Sequence, residues 1–170
     1  MNKPTPDGYV NVAVTTPGGT ATSTVSLAQF APSFNLLDTK HVAGIILRSD
    51  GSGAYGGGTY DIVGPTGTSL GYKTVAAKAG DEIELFGVGF GPTNPTVPAG
   101  KSYSGGAATT NSVQLLINNI AVQPSFSGIV AAGLYQLNFQ LPSGAGTGDV
   151  SLQATVGGAH TPSGVVLAVQ

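Results

Sequence analysis

Apolar and polar positions alternate in short runs along the chain, and the runs are broken by glycine, proline, asparagine and threonine. The clearest case is Leu134 to Leu141, where Leu134, Gln136, Asn138 and Gln140 interleave with Tyr135, Leu137, Phe139 and Leu141. That period of two belongs to a half-buried strand. Comparable runs lie at Tyr9 to Thr15, Thr22 to Ala28, His41 to Arg48, Thr59 to Val63, Tyr72 to Ala76, Glu82 to Val88, Ser112 to Ile117, Ile120 to Phe126, Val150 to Val156 and Val165 to Val169. Pro17-Gly18-Gly19-Thr20, Gly64-Pro65-Thr66-Gly67, Asn118-Asn119 and Gly157-Gly158 supply turn signals between them. Gly91 to Asn111 lacks periodicity and reads as a long loop. No stretch carries a capped helical pattern of ten or more residues. Many short strands with regular turn signals predict an all-β chain folded as an antiparallel β-sandwich.

The first hairpin resembles the last. Tyr9-Val10-Asn11-Val12-Ala13-Val14, a double glycine and Val25-Ser26-Leu27-Ala28 echo Val150-Ser151-Leu152-Gln153-Ala154-Thr155, a double glycine and Val166-Leu167-Ala168-Val169. Residues 1–30 thus read as the closing hairpin of a preceding repeat or as a strand extension, and 31–170 as the sandwich. An isolated hairpin is marginal in water. It is expected to pack on the sandwich, on a neighbouring repeat, or on another chain as a swapped or edge-paired dimer.

Composition narrows the function classes. Charged residues make up 8% of the 170 residues, against roughly 25% in an average globular protein. Six basic and eight acidic side chains give a net charge of −2 without any basic run. Nucleic acid is therefore not an expected partner, since each phosphate contact needs a Lys or Arg. Apolar runs such as Ile45-Ile46-Leu47 fall far short of the roughly 18 residues that suggest a membrane-spanning helix. Met1-Asn2-Lys3-Pro4-Thr5-Pro6 does not read as a signal peptide. With no cysteine, no disulfide pins the sheets together.

Three segments invite a chemical reading. Gly67-Thr68-Ser69-Leu70-Gly71 fits G-x-S-x-G, the elbow that presents a nucleophilic serine between a strand and a helix. With Asp149 and His160 it gives a Ser69, Asp149, His160 order, although a strand rather than a helix is expected after it, and a turn serine is the plain alternative. The Gly-rich loop Asp50 to Asp61 offers Asp50, Ser52 and Asp61 as oxygen ligands for a hard cation such as Ca²⁺, the one candidate cofactor. It departs from the EF-hand pattern at Ala54 and Tyr55, and a surface loop with two solvated carboxylates is its alternative. Gly87-Val88-Gly89-Phe90-Gly91 is not a dinucleotide fingerprint, because Pro92 and Pro95 forbid the helix that would meet a phosphate. Its glycines instead allow a tight reversal, with Phe90 plugging the end of the core. Glu82 and Glu84 share one strand face, expected to meet solvent. His41 and His160 without cysteine are too few for structural zinc. Tyr55, Tyr60, Tyr72 and Tyr103 lie near loops where sugar-stacking rings would sit, while Tyr135 reads as core or as a strand-end hydrogen-bonding tyrosine.

Gly80-Asp81-Glu82-Ile83-Glu84-Leu85-Phe86-Gly87-Val88-Gly89-Phe90-Gly91-Pro92, together with Leu134 to Pro142 and Gly148-Asp149-Val150, resembles an immunoglobulin-like IPT/TIG domain over residues 80–170. The whole chain is similar to an uncharacterised carboxy-terminal domain family of large secreted acidobacterial proteins, which shares the glycine turn, the Leu134-Tyr135-Gln136 strand and the final Val169-Gln170. The resemblance implies an immunoglobulin-like sandwich, extended here by the amino-terminal hairpin, and an extracellular or cell-surface location. It implies no activity. The leading expectation is a non-catalytic accessory module serving adhesion, spacing or carbohydrate and surface contact, with glycans, cell-surface components or other domains of a parent chain as partners. The alternative is a small, calcium-dependent hydrolase of esters or lactones.

Overall fold

The computed structural model describes residues 8–98 and 100–170. Residues 1–7 of the expected hairpin unit lie outside that range. Among the described residues the chain forms fifteen strands and one short 3-10 turn at Gly56–Gly58. The strands are β1 (Gly8–Thr16), β2 (Gly19–Leu27), β3 (Ser33–Phe34), β4 (Gly44–Leu47), β5 (Tyr60–Ile62), β6 (Glu82–Val88), β7 (Thr93–Asn94), β8 (Ser104–Thr109), β9 (Val113–Ile117), β10 (Ile120–Val122), β11 (Phe126–Ala131), β12 (Leu134–Gln140), β13 (Gly148–Val156), β14 (Ala159–His160) and β15 (Val166–Val169).

The larger sheet runs β5-β4-β6-β12-β11-β8-β7, with β3 also on β6. The smaller runs β10-β9-β13-β14, with β15 on β13. Every strand pair is antiparallel. The two sheets form an antiparallel β-sandwich, and alternation decides its filling. Ile46, Ile83, Leu85, Leu137 and Phe139 from the larger sheet share one core with Leu115, Ile117, Leu152, Ala154 and Leu167 from the smaller. Parallel bridges from His41 to Val166 and from Ala77 to Val169 tie the approaches to β4 and β6 onto β15.

Phe90 is fully buried and meets the rings of Phe34 and Tyr135 at 6.1 and 5.8 Å, so it closes one end of the core as expected. The turn that delivers it needs glycine. Gly89 has φ +76, and a Cβ there would lie 2.0 Å from the Ala31 carbonyl oxygen. The Tyr135 hydroxyl donates to the Gly91 carbonyl, which resolves this tyrosine as a buried hydrogen-bonding one. Burial raises its pKa.

Three expectations need correction. The Gly91 to Asn111 segment is not all loop: β7 and β8 lie in it and pair with each other, and β8 pairs with β11. Gly105-Gly106-Ala107-Ala108 lacks the β-branched signal of a strand. It is extended because β11 would otherwise end the sheet, and the small residues allow close approach; a Cβ on Gly128 would sit 2.3 Å from the Ala107 oxygen. Tyr72 to Ala76, expected as a strand, makes only isolated bridges, Gly67 to Thr74 and Val63 to Val75. Glu84 is not simply in solvent either: it accepts from Asn138 Nδ2 at 3.2 Å, and its burial raises the carboxyl pKa.

The first hairpin forms, with Gly8 opposite Leu27 through to Thr16 opposite Gly19, so that Gly19 and Thr20 of the expected turn belong to β2. Among the described residues its strands pair only with each other. Phe30, just after it, packs against the sandwich core beside Gly91 and Gly157.

Candidate functional site

At the outer end of β4, Ile46 lies opposite Asp61 of β5. Arg48, two residues on, is therefore the diagonal neighbour of Asp61 on the same sheet face. Its Nε donates to Asp61 Oδ2 at 2.9 Å and its Nη1 to Asp81 Oδ1 at 3.1 Å. The remaining oxygens are also taken: Asp61 Oδ1 accepts the Ala54 N–H at 2.9 Å, and Asp81 Oδ2 accepts the Lys78 N–H at 2.9 Å. Burial alone would raise the Asp61 carboxyl; the Arg48 guanidinium and the Ala54 N–H hold it below the usual range instead. One cation thus joins the Gly-rich loop, β5 and the turn before β6.

A cleft of about 610 Å³ opens over this cluster, lined by Arg48, Asp50, Ser52, Lys78, Glu82 and Gln170 among others. Asp50, Ser52 and Asp61, expected as a calcium ligand set, all line this cleft, and both carboxylates already accept hydrogen bonds. Asp61 is committed to Arg48 and Ala54, and Asp50 turns back onto its own loop to accept the Ser52 N–H at 3.0 Å. That bonding to Ser52 lowers the Asp50 pKa. Among the described residues no cluster of three acidic or histidine side chains is placed to hold a metal. Tyr55 and Tyr60 stack on each other, with centroids 6.1 Å apart, and the Tyr55 hydroxyl donates to the Lys73 carbonyl. Their rings brace the loop.

A second ionic cluster sits where the approach to β4 crosses the start of β13. Asp38 Oδ1 accepts the backbone N–H groups of Lys40 and His41, at 2.9 and 2.7 Å, and so forms a turn. The buried His41 ring lies between two carboxylates, with Nδ1 2.8 Å from Asp38 Oδ2 and Nε2 3.2 Å from Asp149 Oδ1. Both bonds exist together only when both ring nitrogens bear protons. Lys40 Nζ reaches Asp149 Oδ2 at 2.6 Å. The His41 backbone N–H, helped by that of Lys40 and by the ring, holds the Asp38 carboxyl well below the usual range. Lys40, and then His41, lower that of Asp149.

Ser69, Asp149 and His160 are not brought together. Asp149 is at the first turn of β13, whereas His160 pairs with Thr155 near its far end. Six residues of strand separate those levels by about 20 Å. His160 Nδ1 lies 3.0 Å from Thr155 Oγ1. Ser69 is exposed at the tip of a turn closed by Gly71 N–H to the Thr68 carbonyl, and no helix follows it. The histidine that Asp149 does meet is His41. Of the two carboxylates on its ring, Asp38 is three residues away in the chain, whereas Asp149 is 108 residues away. Arg48 escaped notice as well. Its signal was the inward position of Asp61 in an apolar strand, since a carboxylate there demands a partner.

The chain matches no protein family, no curated protein and no solved structure in comparison. Among the described residues no helix is long and apolar enough to cross a membrane.

Proposed function

We propose that this chain is a non-catalytic extracellular accessory module, IPT/TIG-like in kind, that spaces or attaches a larger secreted protein and contacts glycan or cell-surface material. One observation carries the reading: the buried groups suited to chemistry are consumed in pairing. His41 has both ring nitrogens against carboxylates, and Arg48 is forked between Asp61 and Asp81. A general base needs a free nitrogen within reach of a substrate proton, and an anion site needs a cation that is not already neutralised. Both clusters instead fasten loops to the sandwich, the service a disulfide would render in a chain that has none. The cleft beside Arg48, with Lys78, Glu82 and Gln170 at its walls, offers donors and acceptors to a hydroxyl-rich ligand. The extracellular placement rests on the family resemblance.

The test is hydrolysis of a short-chain ester and an acyl lactone by purified protein, with calcium and with chelator, beside Ser69→Ala, His160→Ala and Asp50→Ala. The expected result is no turnover above a heat-inactivated control. A glycan panel read in parallel is expected to show weak binding that falls in Glu82→Ala and Lys78→Ala. Turnover that disappears on chelation and in Asp50→Ala would establish the calcium-dependent hydrolase instead.

A further inference from the structure

Among the described residues, the amino-terminal hairpin leaves a well-made strand edge without a partner. Its two nine-residue strands keep register from end to end with no bulge. No charged residue lies between Gly8 and Leu27, and the one proline is in the turn. These are the devices by which proteins blunt exposed strand edges, and all are missing here. Opposed residues share a face, so Val10, Val12 and Val14 stand with Ala21 and Val25 on one side. Val12 and Val14 are 47% and 60% exposed. The polar side is tied by Thr24 Oγ1 to Asn11 Oδ1 at 2.8 Å and by the Thr15 and Thr20 hydroxyls at 2.9 Å.

The same chain shows what such a strand normally receives. In β13, Val150, Leu152 and Ala154 repeat the spacing of Val10, Val12 and Val14. That strand is paired on both edges, by β9 and by β14 with β15, and these three side chains are buried. Among the described residues β1 has a partner on one edge only.

We infer that β1 is a self-association strand, pairing antiparallel with β1 of a second copy about a two-fold axis at Val12. The inference is independent of what the sandwich itself contacts. Three features select this occupant and register. The two-residue turn Pro17-Gly18 makes Thr16 and Gly19 a hydrogen-bonded pair, and in an antiparallel ladder such pairs alternate. Tyr9, Asn11, Ala13 and Thr15 therefore direct their backbone groups outward. A two-fold at Val12 sets Asn11 opposite Ala13 and Tyr9 opposite Thr15 of the other copy, matching outward groups with outward groups. It also sets Val10 opposite Val14, so the valine faces of both copies become one continuous apolar face. A one-residue slip would turn those faces to opposite sides. The pairing converts two marginal hairpins into a four-stranded sheet, the size at which an apolar face sustains itself. The β2 edge is the poorer choice, because on the same face a two-fold at Ser23 would set serine opposite serine and alanine opposite valine where β1 stacks valine throughout.

The experiment uses the full chain, which has no native cysteine to interfere. Val12→Cys and Ser23→Cys are oxidised with glutathione at equal concentration; Ser23 is the residue opposite Val12 within the hairpin. At a non-hydrogen-bonded two-fold pair the Cα atoms stand about 4.5 Å apart, within disulfide range. Val12→Cys is expected to form a covalent dimer at least tenfold faster than Ser23→Cys. Sedimentation of the unmodified chain is expected to show mass rising with concentration towards the dimer, a rise lost in Val12→Lys, which sets two like charges face to face. All variants lie outside the core, so their thermal midpoints report whether the sandwich stays folded. A monomer at every concentration, equal crosslinking rates, or faster crosslinking of Ser23→Cys would each overturn the inference.

Discussion

Arg48→Met isolates the contribution of the ionic staple to the sandwich. The change keeps most of the side-chain volume and removes the charge. Asp61 and Asp81 then face each other with side chains only 9% and 7% exposed, and the donors Nε and Nη1 are gone. Removing one member of a buried ion pair costs about 3–5 kcal/mol, because the other is left uncompensated. The cleft admits water on the Arg48 side, where the Arg48 side chain is 14% exposed, so about 2–3 kcal/mol is the expected loss. For a domain of this length that lowers the midpoint by about 5–10 °C. The assay is calorimetry with urea unfolding at neutral pH, repeated on acidification. Asp61 has a folded pKa below its unfolded value of about 3.9. Its contribution is present above that unfolded value and is lost as pH falls through the folded one. The gap between the parent chain and Arg48→Met should therefore narrow below about pH 4. Arg48→Met combined with Asp61→Asn and Asp81→Asn should recover part of the loss at neutral pH. A loss under about 0.5 kcal/mol, the scatter of ordinary surface changes, or a gap that widens in acid, would refute the staple.

Tyr135→Phe removes the hydroxyl bonded to the Gly91 carbonyl and should cost about 1–2 kcal/mol in urea unfolding with an unchanged slope. Gly89→Ala forces a Cβ towards the Ala31 oxygen at φ +76; a loss of about 2–3 kcal/mol is expected, along with greater exposure of the Phe90 ring, read by near-ultraviolet circular dichroism. Asp38 and Asp149 are both held low, so the stability from their pairing with His41 and Lys40 is present above the ordinary carboxylate value and is lost as pH falls from there through their lowered folded values. Exchange of the Val42 and Val166 amides, which bond to the Val166 and Lys40 carbonyls, should quicken in acid; Asp149→Asn should show quick exchange already at neutral pH. Ser69→Ala should change stability by less than about 0.5 kcal/mol, since the side chain is exposed at a turn tip.

Much of the architecture was open to reading because alternation is local. Each strand of one buried face carries its own period of two, and Leu134 to Gln140, Glu82 to Val88 and the Asn118-Asn119 hairpin needed no tertiary knowledge. Both asparagines there take positive φ, as that turn requires. The amino-terminal hairpin was equally legible, although its turn is Pro17-Gly18 alone and Gly19 and Thr20 belong to the return strand. Strand β8 was not, because Gly105 to Ala108 has no pattern of its own and is extended only by the free edge of β11.

The ionic sites divide in the same way. Local sequence contained the Asp38 turn around His41 and the Asp50 turn onto Ser52, since such bonds reach only two or three residues. It also contained one symptom of the staple, an inward Asp61. Which cation answers Asp61, which carboxylate answers His41, and that Asp149 and His160 stand at opposite ends of one strand depend on sheet order and register. Those follow from burying every alternating face against another, a condition on the whole chain that no single segment expresses.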